Sequence, residues 1–151
     1  MQSKTIYIAS DHAGFERKQM LSQYLASAGY ELRDFGPATL DPQDDYPDYA
    51  EPLARAVAKD AVPGIVLCGN AEGVCIVANK VKGVRAAVGY SVEAAKTSRT
   101  DDNTNVLCVP GREFTDAQAK AMVDAWLTTT FSGAERHVRR LKKVSDLDSK
   151  R

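Results

Sequence analysis

Histidine is nearly absent. His12 and His137 are the only two in 151 residues, which excludes a three-histidine metal site and leaves few candidates for imidazole acid–base chemistry. Cysteine is also scarce: Cys68, Cys75 and Cys108 are odd in number and lack C-x-x-C spacing, so neither a disulfide framework nor a zinc site is expected, and all three read as thiols. There is no excess of one charge. Twenty basic residues balance twenty acidic ones, which excludes an overall basic nucleic-acid binder. No run approaches 18 apolar residues, and residues 1–10 carry no charged stretch followed by a long apolar one. Neither a membrane span nor a signal peptide is expected, and a cytoplasmic protein follows. Phosphate-loop signatures are missing too. The turn Cys68 to Gly73 continues as Val74-Cys75 rather than with lysine and a hydroxyl residue, and G-x-G-x-x-G is absent. A cysteine phosphatase would want an arginine where Val74 stands.

What is present is ordinary globular material, 44% hydrophobic and 26% charged, at about the length of one domain. A single domain over residues 1–151 is expected, with residues from about 145 as a frayed tail. Short β-rich apolar runs alternate with helical patterns. Strands are predicted at Thr5 to Ala9, Tyr30 to Asp34, Gly64 to Leu67, Val84 to Gly89 and Asn105 to Val109. Met20, Leu21, Tyr24, Leu25 and Ala28 recur at helical spacing until Gly29 stops them, and Ala50, Leu53, Ala54 and Val57 share one face of a helix over Tyr49 to Lys59. The stretch Gly36 to Asp48, rich in proline and aspartate, reads as a loop. A short helix follows Gly73 to about Lys80. Ser91 is a plausible N-cap for Val92 to Thr100, and Thr115 with Gln118 forms a capping-box pattern ahead of Ala119, Met122, Val123, Trp126 and Leu127. A last, basic helix spans about Glu135 to Val144. The class is α/β: a three-layer α/β/α sandwich with a five-stranded parallel, Rossmann-like sheet and an extra C-terminal basic helix, whose ligand crevice lies outside the carboxyl ends of the strands.

Those strand ends carry the chemistry. The turn Cys68-Gly69-Asn70-Ala71-Glu72-Gly73 runs from an apolar strand into a helix, where backbone N–H groups form an anion-binding nest suited to an oxyanion. Cys68 at its mouth reads either as a base or nucleophile activated by the helix dipole or as a small buried residue closing a strand. Cys75 and Cys108 read as core. Asp11 and His12 follow the first strand and project into the crevice. Arg112 after the fifth strand, with Arg136 and Arg140 four apart on the last helix, can converge on a phosphate, although an amphipathic surface helix shows the same spacing.

The sequence resembles a known family, the sugar-phosphate isomerases comprising ribose-5-phosphate isomerase type B and the galactose-6-phosphate isomerase subunits. The resemblance covers nearly the whole chain. It rests on SDHAG (Ser10 to Gly14), DYPDYA (Asp45 to Ala50), CG and a following glycine with ANKVKGVRA (Cys68 to Ala86), SR with NTNVL (Ser98 to Leu107), GR (Gly111, Arg112), VDAWL (Val123 to Leu127) and RHVRR (Arg136 to Arg140). It implies interconversion of aldose and ketose phosphates through a cis-enediolate, with no metal or organic cofactor, in a homodimer or dimer of dimers with sites between subunits. Nucleic acid and membrane are not implied partners. By position, Cys68 matches the base that moves the proton between C1 and C2, and the turn Gly69 to Gly73, with Asn70, Ala71 and Glu72, matches the loop that stabilises the enediolate oxygen. His12, Arg112, Arg136 and Arg140 match phosphate-site positions, some from the partner subunit. Asp11 and Tyr46 match substrate-hydroxyl positions, and Asn103 lies in the segment facing the sugar.

The departures are as informative. Asn70 replaces a threonine of the family loop, Ala71 a glycine, and Glu72 fills a usually apolar position. Asp101 and Asp102 stand where the family has histidine then asparagine, the histidine being assigned to opening the furanose ring. Ring opening then relies on Asp101, on another group, or is unnecessary. A tetrose 4-phosphate has its ring-forming hydroxyl esterified and needs none. The expected activity is isomerisation of ribose 5-phosphate to ribulose 5-phosphate. Alternatives are a tetrose 4-phosphate or hexose 6-phosphate substrate, a non-catalytic or partner-dependent subunit, and a flavodoxin-like nucleotide or flavin binder.

Overall fold

The structure is a computed structural model that describes residues 4–150. Its elements follow the predicted alternation: β1 Thr5–Ser10, α1 Phe15–Ser27, β2 Glu31–Asp34, α2 Pro47–Asp60, β3 Gly64–Cys68, α3 Glu72–Asn79, β4 Ala86–Val88, α4 Val92–Thr100, β5 Val106–Pro110, α5 Asp116–Thr128 and α6 Glu135–Asp148. The five strands form one parallel sheet in the order β2-β1-β3-β5-β4. Strand alternation sends Ile6, Ile8, Ile65, Leu67, Leu107 and Val109 to one face, where they pack with α1, α4 and α5 around Trp126. The opposite face takes Tyr7, Ala9, Val66, Cys68, Val106 and Cys108, which pack with α2 and α3. This is the distribution that right-handed crossovers impose on this strand order.

Capping residues behave as the sequence predicts. Ser91 accepts from Ala94 N–H, and Thr115 and Gln118 form a reciprocal capping box. Several strand ends shift by one residue, and three elements differ by more. α2 begins at Pro47, because a proline in the first turn lacks only an N–H that would be unpaired there. β4 is shorter than predicted: Val84 N–H closes a turn on the Val81 carbonyl, and Arg85 N–H bonds the Asn105 side chain. α6 continues past Val144 to Asp148, so residues 145–148 are helical rather than a frayed tail. Lys142 pairs with Asp146 one turn on, and Asp148 Oδ2 accepts from Gly83 N–H at 2.8 Å, which ties the end of the helix to the turn before β4.

The connections from β1 and β3, neighbours in the sheet, leave toward opposite faces, one into α1 and the other into α3. A crevice opens between them. Its floor is closely built. A Cβ on Gly14 would lie 2.6 Å from Leu67 Cβ, and one on Gly111 would lie 2.4 Å from the Ala13 carbonyl oxygen. The ends of β1, β3 and β5 therefore approach at backbone contact, and Gly111 and Arg112 N–H groups bond the carbonyls of Cys68 and Gly69 at 2.8 and 3.0 Å.

Candidate active site

A cleft of about 700 Å³ opens over these strand ends, lined by Asp11, His12, Tyr46, Cys68, Asn70 and Arg112, with Gly69, Glu72 and Gly73 in its wall. Cys68 is the last residue of β3 and is buried, with its thiol 3.9 Å from Asn70 Oδ1. Ala71, the N-cap of α3, adopts a left-handed conformation at φ 68, the turn geometry that lets successive N–H groups point one way. Asn70 Oδ1 accepts from Glu72 N–H at 3.0 Å. One amide of the turn is thus satisfied by the Asn70 side chain. Gly73 is required for a different reason: a Cβ there would lie 2.6 Å from Tyr46 Cζ, so the tyrosine ring rests directly on the backbone of α3.

Asp11 caps the short turn after β1, its Oδ1 accepting from Gly14 N–H at 3.0 Å. His12 is held by Asp44, whose Oδ1 accepts from His12 N–H at 3.1 Å and lies 2.7 Å from His12 Nδ1. Ala13, Ile76 and Glu113 complete the lining. Asp11, His12 and Asp44 offer ligand atoms within 4.8 Å of one another, the one group of its kind among the described residues. Within it, Oδ1 of Asp11 accepts from Gly14 N–H and Oδ1 of Asp44 meets His12.

Ala71, Asp101, Asn103, Arg136 and Arg140 do not line this cleft; the Ala71 side chain is buried in the core beneath it. Asp101 Oδ1 accepts from the Thr100 hydroxyl at 2.9 Å and stands 3.5 Å from Nε2 of buried His137 on α6. Asn103 sits at φ 45 in the turn before β5, where its Oδ1 accepts from Arg99 at 3.1 Å and its carbonyl accepts from Arg85 at 2.9 Å. Arg99 also donates to the carbonyls of Thr104 and Thr129; burial, then the nearby Arg85, lowers its pKa. Arg136 and Arg140 are exposed on α6. Two supporting residues were not legible. Asp44 lies in the loop before α2 with no periodic pattern, and Arg17, one charge in a helix, donates from α1 to the carbonyls of Pro110, Glu113 and Phe114, fixing the loop that carries Arg112.

Residues 6–144 match the family model described as Ribose/Galactose Isomerase. The chain is 44% identical over 144 residues to the probable ribose-5-phosphate isomerase B of Mycoplasma genitalium, covering 94% of each chain. It is 40% identical over 149 residues to ribose-5-phosphate isomerase B of Mycobacterium tuberculosis, covering 98% of this chain and 92% of that one. In structure it superposes on the Mycoplasma genitalium ribose-5-phosphate isomerase B with bound ribulose-5-phosphate at a TM-score of 0.93, with 41% identity and 97% of both chains covered.

Proposed function

The chain belongs to the ribose/galactose isomerase family and is an isomerase, and from that premise we propose that it interconverts ribose 5-phosphate and ribulose 5-phosphate with Cys68 as the base. The observation that carries this reading is the placement of the Cys68 thiol at the mouth of the left-handed turn, in the cleft that also holds His12 and Arg112. In the aldose-to-ketose direction, the Cys68 thiolate takes the proton from C2. The C–H electron pair forms the C1–C2 double bond, and the carbonyl oxygen on C1 becomes the enediolate oxygen, facing the amides of the turn. The carbon-bound proton is returned to C1 while the C2 hydroxyl gives its proton to the C1 oxygen, so that C2 becomes the carbonyl and C1 carries the hydroxyl. No external oxidant is consumed. His12 and Arg112 hold the phosphate, and Asp11 and Tyr46 meet sugar hydroxyls.

Asp101, Asn103, Arg136 and Arg140 enter this reading from a second subunit. α6 supports it: Val138, Val144 and Leu147 on this helix are exposed, and none of its residues joins either core cluster. Turnover of ribose 5-phosphate by the purified protein tests the activity. Cys68→Ala is expected to lower kcat by about 10²–10⁴-fold; full turnover by that variant would move the base to Glu72 or Glu113, both in the cleft. Mixing Cys68→Ala with an Arg136→Ala/Arg140→Ala variant is expected to restore activity if the site is shared between subunits, and two inactive partners that stay inactive would place those arginines elsewhere. A second substrate reading rests on Asp101, whose carboxylate meets Thr100 and His137 at a position the family gives to histidine. Erythrose 4-phosphate and allose 6-phosphate run in the same assay decide it, with preference for the tetrose expected if no ring needs opening.

A further inference from the structure

Asp44 is a carboxylate removed from water, its side chain only 3% exposed. Its Oδ2 is buried without a hydrogen-bond partner, the carboxyl lies near enough to Tyr49 to help raise that phenol's pKa, and its one ion-pair partner among the described residues is His12. Such a buried acid is costly unless its partner is well placed. Here one oxygen, Oδ1, faces both the backbone N–H and Nδ1 of the same histidine, at 3.1 and 2.7 Å. An ionised carboxylate only accepts, so against an ionised Asp44 this contact calls for a proton on Nδ1. His12 is 31% exposed in its side chain and lines the cleft, which Asp44 does not. With Nδ1 turned to Asp44, the opposite edge of the ring, bearing Nε2, is presented to the cleft. The loop is braced from behind: Asp44 N–H bonds the Asp41 carbonyl at 3.2 Å, and Tyr46, two residues on, rests on Gly73.

We propose that Asp44 is a positioning residue that fixes His12 with its proton on Nδ1 and its Nε2 facing the sugar phosphate. A histidine whose second nitrogen is held by a carboxylate has its tautomer and ring orientation set in advance. In this arrangement Asp44 touches no substrate and acts only through His12. The kinetic part of the test rests on the isomerase reading above; the spectroscopic part does not.

With only His12 and His137 in the chain, ¹⁵N-histidine spectra contain two rings, and His12→Asn assigns them by deletion. In the native protein His12 Nδ1 is expected to be protonated, and in Asp44→Ala that preference is lost, with His137 unmoved. In steady-state assays Asp44→Ala and His12→Asn are each expected to raise KM about tenfold with kcat changed less than about threefold. The double variant is expected to be no worse than His12→Asn alone, because the effect passes through one ring. Should Asp44→Ala fail to fold, Asp44→Leu, which fills the same space without an acceptor, serves for the same comparisons. An unprotonated Nδ1 in the native protein, an unchanged tautomer in the Asp44 variant, or KM effects that multiply in the double variant would each overturn the proposal. A protein inactive on ribose 5-phosphate but with the expected spectra would fail the substrate reading and leave the Asp44 assignment standing.

Discussion

Ala61 and Ala71 both hold left-handed backbone, at φ 55 and 68, and the two differ in what their methyl groups do. Ala61 follows α2 and is exposed, so its methyl gives nothing back for the strain. Ala61→Gly is expected to stabilise the protein by about 1 kcal/mol, raising Tm by about 2–4 °C in a thermal melt. Ala71 is fully buried in the core beneath the Cys68 turn. There, glycine relieves the strain but gives up a buried methyl worth about 0.8 kcal/mol, so Ala71→Gly is expected to leave stability within about 1 kcal/mol of the parent. The cysteines separate by environment in the same way. The Cys108 thiol next to it lowers the pKa of half-buried Cys75, whereas burial pushes Cys108 well above its ordinary value. A thiol reagent followed by mass spectrometry is expected to label Cys75 in the native protein and Cys108 only after unfolding. At this scale, residues following an apolar strand were legible: Asp11, His12, Cys68 and Arg112 stand at strand ends and line the cleft. Asp44 was not, because one aspartate in a loop full of them gives no pattern, and only the fold brings it to His12.

The elements owe their precision to long side chains that cross between them. Arg17 of α1 holds the loop after β5 through three carbonyls, and its side chain is only 9% exposed. Arg17→Leu is expected to cost about 2–3 kcal/mol in chemical denaturation and to raise KM, because Arg112 loses its support. A variant that loses stability with KM untouched would show that Arg112 is positioned by other contacts. Lys18, the next residue, reaches from α1 to Asp34 at 3.0 Å and the Pro37 carbonyl at 2.7 Å, anchoring the start of the loop that carries Asp44. Periodicity located α1 but gave these two cations no destination, since a helical wheel says which face is apolar and not what a four-carbon stem can reach. The overrun of α6 has the same origin: its end is fixed by Asp148 on Gly83, a contact 65 residues apart in sequence.

For the molecule as a whole, three tyrosines and one buried thiol set an alkaline limit. Hydrogen bonds to Asp60 and Asp124 are the main causes raising the pKa of Tyr7 and Tyr24, desolvation raises Tyr49, and burial raises Cys108. Each group holds its proton more tightly folded than unfolded, so the folded state binds more protons at high pH and stability falls as pH rises. The decline is expected to begin near the ordinary values of 9.0 for cysteine and 10.0 for tyrosine. Denaturation midpoints measured over roughly pH 8 to 11 check this, and Tyr24→Phe is expected to flatten the limb above about pH 10. A midpoint that stays level across that range would show that these contacts survive ionisation. The alternation of strands and helices made the parallel sheet readable, yet it did not give the order of strands. β3 and β5 are buried throughout and β4 only partly, but all three are short apolar runs, and only packing tells a central strand from an edge.

That order also bears on synthesis. β5, residues 106–110, lies between β3 and β4 in the sheet, although it is the last strand to leave the ribosome. A nascent chain that has emerged only as far as α4 lacks β5, so the edge of β3 that β5 covers and the one pairing edge of β4 both stand open. Until β5 slides into that gap, the growing polypeptide presents an unpaired strand edge to its surroundings, the form in which chains join one another or are met by chaperones.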